Sequence, residues 1–157
     1  MLAVAQRADP TIAWERGEAE MLPYADGSFD LVLSVTALEF VRDPVRALAE
    51  MFRVVAPGGR VVVGTLNASS PWAQMYQREA ERHETPFRYA RFLSPDEFVG
   101  LLRAYGQPSW QSAVFIPPSG RGLAWAETLE RIGQTLWRGR GALLAGRVVK
   151  RSALARK

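Results

Sequence analysis

The spacing of apolar positions changes several times along the chain, and each change predicts an element. Two nearly continuous apolar runs, Leu31–Val35 and Val61–Val63, predict strands meant to be covered on both faces. Between them Val45, Leu48, Phe52 and Val55 fall on one helical face, with Asp43 at the cap and Pro44 in the first turn. Pro57-Gly58-Gly59 is expected to stop that helix, and Arg46 and Glu50, four apart on its outer face, to pair through solvent. Strand, helix and strand at this length predict a right-handed crossover, hence a parallel sheet.

The flanking pattern adds elements on both sides. Residues Met1–Ala8 predict a helix ending near Asp9-Pro10, because the residue before proline disfavours helix. Thr11–Arg16 predicts a short strand closed by Gly17, and the stretch to Gly27 a loop with an Asp26-Gly27 turn. Ser70–Arg82 predicts a helix carrying Trp72, Met75 and Tyr76. Ser94-Pro95-Asp96-Glu97 reads as a capping box opening a helix through Phe98, Leu101, Leu102 and Tyr105 to Gly106. Ser109–Ile116 predicts a strand cut off by Pro117-Pro118, and Ala142–Val149 a last strand. Leu123–Trp137 predicts an amphipathic helix whose Trp125, Leu129, Ile132 and Leu136 share a face expected to pack inward.

Composition narrows the chemistry. The 157 residues suffice for one domain with a core. Without cysteine, disulfides and thiolate metal sites are excluded, and the single histidine, His83, leaves no His cluster and no Ser-His-Asp triad. His83 lies between Glu81-Arg82 and Glu84, the setting of a solvated helix residue. No apolar run is long enough to span a bilayer and the N-terminus lacks a signal-peptide pattern, so a cytoplasmic protein is expected. The net charge of +4 is uneven: from Arg131 onward there are eight basic residues and no acid. No aromatics interleave Arg147, Lys150, Arg151, Arg156 and Lys157, so neither a nucleic-acid platform nor a membrane partner is expected, only a solvated basic tail.

Three phrases in order carry a resemblance. Gly17 to Asp30 reads GEAEMLPYADGSFD, Ser34 to Phe40 reads SVTALEF, and Arg53 to Gly59 reads RVVAPGG. Together they resemble the class I S-adenosylmethionine-dependent methyltransferases, in particular the type 11 small-molecule group, whose phrases are G-D/E-A-x-x-L-P-F-x-D-x-S-F-D and R-x-L-K-P-G-G. The chain departs with Glu18 for the usual aspartate, Tyr24 for phenylalanine, Ala56 for lysine, and Glu39 near a common histidine.

The resemblance implies an α/β fold with a Rossmann-like, mostly parallel sheet and an antiparallel C-terminal strand. It implies that Glu18 accepts from the adenine amine of S-adenosyl-L-methionine and that the Ala19 N–H donates to a ring nitrogen, a match to adenine's hydrogen-bonding edge. Ser34, Val35, Thr36 and Phe40 would line the bound cofactor. Asn67, Ser70 and Trp72, from the stretch GTLNASSPWA, and Arg88 and Arg91 further on would face a small-molecule methyl acceptor. A nicotinamide oxidoreductase is the weaker alternative, because the GEAEMLPYADGSFD phrase speaks against it. The implied layout is one domain over 1–150, with a cofactor-side core at 1–67, an acceptor-side and C-terminal part at 68–150, and a basic tail at 151–157.

One departure governs the rest. The family opens with a strand ending in D-x-G-x-G-x-G, whose backbone N–H groups approach the methionine carboxylate, and a second strand ending in an acid for the ribose. Neither is found here, and Met1–Ala5 resembles the helix that follows that acid. The expectation is a chain truncated relative to the family, through a misassigned start codon, a shortened gene product or half of a complementing pair. From the family strand order 3-2-1-4-5-7-6, Thr11–Arg16 would lack a neighbour and Leu31–Val35 would become an exposed edge. Such a chain is expected to bind the cofactor poorly. Its alternative role is that of a non-catalytic half-domain completing a partner chain's sheet.

Overall fold

A computed structural model of the chain describes residues 2–151. Met1, and the basic tail expected over 151–157 apart from Arg151, lie outside the described residues.

Helix α1 (Leu2–Ala8) leads through a stretch of turns, with one bridge between Glu18 and Met21, to strand β1 (Phe29–Val35). A 3-10 turn (Leu38–Phe40), α2 (Pro44–Val54) and β2 (Val55–Leu66) follow. Then come α3 (Pro71–Arg82), a 3-10 turn (Pro86–Tyr89), α4 (Pro95–Arg103), β3 (Ser109–Ala113), a 3-10 turn (Leu123–Trp125), α5 (Ala126–Leu136) and β4 (Leu143–Val149). The sheet order is β1-β2-β4-β3, with β1 and β2 parallel and β4 antiparallel to both of its neighbours. Three strands therefore point one way and β4 the other: an α/β sheet matching the 4-5-7-6 end of the order implied by the resemblance.

The crossover unit forms as its residues dictate. Asp43 caps α2 by accepting from the N–H groups of Val45 and Arg46. The helix ends at Val54, earlier than Pro57 implies, because Val55 is already extended and fully buried. Pro57-Gly58-Gly59 thus stands inside β2, where Ala56–Gly59 loops out opposite Asp30. Gly58 takes φ +84°, and a Cβ on Gly59 would lie 2.7 Å from the Asp30 carbonyl oxygen. The Lys150 ammonium closes the helix end, donating to the carbonyls of Phe52 (2.6 Å), Val55 (2.7 Å) and Arg53 (3.3 Å).

The core lies on one face of the sheet. Val61 and Val63 of β2 and Leu144 and Val148 of β4 meet Leu48 and Phe52 of α2 and Phe98 and Leu102 of α4. Helix α4 opens with the expected capping box and seats on β4 at Gly146, where a Cβ would come within 2.5 Å of Leu102 and 2.9 Å of Phe98. Helix α4 ends at Arg103, short of the expected Gly106, and the ring of Tyr105 in the turn beyond it stacks on Phe52 of α2 at 4.1 Å.

The other face is largely bare. Leu31, Leu33 and Val35 of β1 keep 46%, 62% and 52% of their surface exposed, and β1 forms the sheet edge as expected.

Four expectations are corrected. Thr11–Arg16 forms no strand, because no neighbouring backbone pairs with it. The strand predicted to Ile116 ends at Ala113, where Val114 turns to φ +65°. Helix α5 starts at Ala126, and most of its stripe faces solvent: Trp125 and Leu136 are 69% and 70% exposed, Leu129 is half-buried, and only Gly133 of the helix is buried. Glu50 pairs with Arg53 rather than Arg46, whose Nε donates instead to the Glu20 carbonyl.

Candidate functional site

The carboxyl ends of β1, β2 and β3 share one rim of the sheet, and ligands of open α/β sheets bind in the crevice outside such ends. The rim is assembled from the Glu18–Met21 turn, the segment after β1, the loop after β2, and the stretches flanking α5.

The acidic phrase reaches the rim because α2 staples it down. The Glu20 carboxylate accepts from the N–H groups of Arg42 (2.9 Å) and Asp43 (3.3 Å), and the bond from Asp43, first among its amide partners, holds it below the usual carboxyl range. Glu50 accepts from the Leu22 N–H at 2.8 Å. Arg53 donates to the carbonyls of Tyr24 (2.7 Å) and Leu22 (3.0 Å), to Asp26 (2.8 Å) and to Glu50 (2.8 Å). The Arg53 guanidinium, and secondarily the Leu22 N–H, depress the Glu50 carboxyl to about 2. In return Glu50, then Asp26, raises the arginine further. This tether was not foreseen, although the i,i+3 spacing of Glu50 and Arg53 is legible in the sequence.

Glu18, Ala19 and Phe40 line a common cleft of about 460 Å³. Glu18 is exposed, and among the described residues no donor reaches its carboxylate; Ala19 is half-buried against the core. Val35 and Thr36 end β1 at the rim, and Thr36 sits at φ 47°, strained for a β-branched residue, with its N–H held by the Gly64 carbonyl at 2.8 Å. Ser34 points to the covered face, where its hydroxyl is buried without a hydrogen-bond partner. Beside it Glu39 is fully buried, accepting from Thr65 Oγ1 (3.1 Å) and the Leu66 N–H (3.2 Å), so it braces the segment after β1 against the end of β2.

The residues expected to face an acceptor do not come together. Asn67 is fully buried, and its amide donates to the carbonyls of Gly139 (2.9 Å) and Gly141 (2.8 Å) while its Oδ1 accepts from the Ser69 N–H. Ser70 is buried and caps α3 through the Ala73 N–H. Both build the loop. Trp72 is half-buried, with its Nε1 donating to the Ile116 carbonyl at 2.7 Å, and its ring lines a separate cleft with Phe115, Trp137 and Arg140. Arg88 and Arg91 are not brought to Trp72: Arg88 lies in the turn after α3, and Arg91 lies in the groove between α2 and α4, 3.8 Å from Glu97. Among the described residues no acidic or histidine cluster could hold a metal, and no helix is long and apolar enough to cross a membrane.

The donor set at Glu18 and Ala19 fits an adenine edge: a carboxylate with no protein donor, a neighbouring backbone amide, and the apolar wall of Phe40.

Known proteins resemble the chain in both sequence and fold. Residues 1–63 match the family model described as a methyltransferase domain. The chain is 38% identical over 101 residues to a demethylmenaquinone methyltransferase of Beutenbergia cavernae, covering 62% of this chain and 42% of that protein. It is 49% identical over 106 residues to the enzyme of the same name from Renibacterium salmoninarum, covering 66% and 45%. The chain thus spans less than half the length of these curated relatives. A solved S-adenosylmethionine-dependent methyltransferase from Thermotoga maritima superposes with a TM-score of 0.67 at 30% identity, covering 86% of this chain and 62% of that one. One from Mesorhizobium loti shares the fold with a TM-score of 0.63 at 19% identity, covering 96% and 76%. By the order of its phrases, its strand order and these likenesses, the chain resembles the S-adenosylmethionine-dependent methyltransferases, with the match to a methyltransferase domain lying in residues 1–63.

Proposed function

We propose that this chain supplies the adenine-side and acceptor-side walls of a domain that transfers a methyl group from S-adenosylmethionine to a small molecule. The observation that carries the proposal is the Glu18-Ala19 pair, tethered through Glu20, Glu50 and Arg53 to α2 and opening onto the cleft beside Phe40. The demethylmenaquinone methyltransferases among its relatives are consistent with a small organic acceptor.

The cofactor would supply an already activated methyl on sulfonium, open to in-line displacement. The protein's task is then positioning and exclusion of water rather than proton transfer. Glu18 and the Ala19 N–H would orient the adenine, and Val35, Thr36 and Phe40 would wall the nucleoside. Residues 1–67 would form the cofactor side and 68–150 the acceptor side, with Trp72 the acceptor-facing residue. No catalytic residue is assigned. Since the sequence holds no D-x-G-x-G-x-G loop for the methionine carboxylate, the isolated chain would bind the cofactor weakly.

An amide-resolved NMR titration with S-adenosylmethionine tests this. Shifts confined to Glu18, Ala19, Thr36 and Phe40, far from saturation at micromolar ligand, are expected. Tight saturable binding would overturn the weak-binding part, and shifts absent from those residues would overturn the assignment itself.

The exposed apolar edge at β1 supports a second reading, in which the chain completes a partner chain's sheet. A stable monomer on size exclusion, with no co-purifying chain, would count against it.

A further inference from the structure

Beside the loop that follows β2 lies a second cleft, of about 480 Å³, between the amino end of α3 and the segments flanking α5. Three aromatic rings line it, each from a different element: Trp72 from α3, Phe115 from the stretch after β3, and Trp137 from the end of α5. Two of the three are fixed. Trp72 is anchored through Nε1 to the Ile116 carbonyl at 2.7 Å. Phe115 packs over Gly133, where a Cβ would fall 2.3 Å from the ring, and its N–H donates to Glu130 at 2.8 Å. The positive φ of Val114, costly for a β-branched residue, turns the chain immediately before Phe115 at the end of β3.

Among the described residues, a single cation stands at this aromatic cleft. Arg140 is exposed, and among the described residues it makes neither an ion pair nor a side-chain hydrogen bond, whereas its neighbour Arg138 stacks on Trp110 at 4.7 Å and donates to the Trp110 carbonyl. The loop bearing Arg140 is not loose: Asn67 holds the carbonyls on both sides of it, at Gly139 and Gly141, and the Gly141 N–H donates to Ser112. Pro71, the first residue of α3, lines the same cleft, so the positive end of a helix of 12 residues adds to the potential there. A slot walled by three aromatic rings, two of them fixed, with one unpartnered guanidinium fits a planar hydrophobic body carrying an anionic group, since arginine pairs carboxylates in a fixed fork.

From this geometry we infer that the Trp72–Phe115–Trp137 cleft is a binding subsite for a planar aromatic acid, with Arg140 as its specificity-determining residue. That the bound acid is the methyl acceptor rests on the methyl-transfer assignment above. The cleft lies on the β4–β3 side of the rim, two to three strand spacings or roughly 10–14 Å from the end of β1, so an acceptor bridging the two would reach the cofactor with the end remote from its anionic group.

Calorimetric titration of the chain with 2-naphthoate and with neutral 2-naphthamide tests the inference. The acid should bind about tenfold tighter than the amide, the gain expected of one charge-assisted pair. Arg140→Gln, at an exposed side chain without partners, should abolish that preference and leave both at the affinity of the amide. Phe115→Leu should weaken both ligands together and leave their ratio intact. Equal affinities in the parent chain, a preference surviving R140Q, or no saturable binding of naphthoate would overturn the inference. The cofactor titration separates the two claims. Selective naphthoate binding with no S-adenosylmethionine response at Glu18 and Ala19 would overturn the methyl-transfer assignment and keep the subsite; the reverse pattern would overturn the subsite alone.

Discussion

Strands β1 and β4 are both seven residues long and belong to one sheet, yet they meet opposite surroundings. Strand β4, LLAGRVV, lies between β2 and β3 under α4, with Leu144, Gly146 and Val148 buried. Strand β1, FDLVLSV, is richer in large apolar residues, but only Ser34 is buried and Leu33 keeps 62% of its surface in water. Apolar content along a strand therefore records how many faces the fold means to cover, not how many are covered. The apolar excess of β1 is unused by the elements described, which sharpens the case for a neighbour on that side.

The largest expected effect breaks the covered side. Phe98→Ala, beneath Gly146, removes a fully buried ring and should cost about 3–5 kcal/mol, read by urea denaturation. Gly146→Ala attacks the same contact from the strand by driving a Cβ into Leu102, and about 1–3 kcal/mol of overpacking is expected; no loss would show that α4 does not seat closely on β4. The tether of the acidic phrase should respond to acid. Because Glu50 titrates at about 2 when folded, against 4.5 ordinarily, its contribution is present above about 4.5 and fades as pH falls toward 2. Glu50→Gln should flatten that part of the stability profile between these limits. The smallest effect belongs to the bare strand: Leu33→Lys should change stability by no more than about 0.5 kcal/mol while reducing self-association on size exclusion. A large destabilisation there would mean that β1 is covered after all.

The elements that local chemistry specifies were legible in the sequence. Asp43 with Pro44, and Ser94 with Glu97, mark helix starts that the structure keeps, and the βαβ unit fixes the parallel pair. What was not legible depends on what faces each segment. Trp125, Leu129, Ile132 and Leu136 repeat as a core-facing helix would, but the spacing says nothing about whether a core is within reach. At the candidate site, the phrase pointed to Glu18 and Ala19, and the structure sets both on one cleft with Phe40. Asn67 could not, because its amide is taken up by Gly139 and Gly141, some seventy residues further along the chain. Arg140 carries no local signal, since its lack of a partner emerges only in three dimensions.

The lysine that closes α2 has a practical consequence. Lys150 is one of only two lysines in a chain otherwise supplied with arginine, and its ammonium is occupied by three carbonyls. Half-buried and held by these bonds, it should be acylated more slowly than a free lysine, and its modification, followed by mass spectrometry, should quicken when the end of α2 loosens.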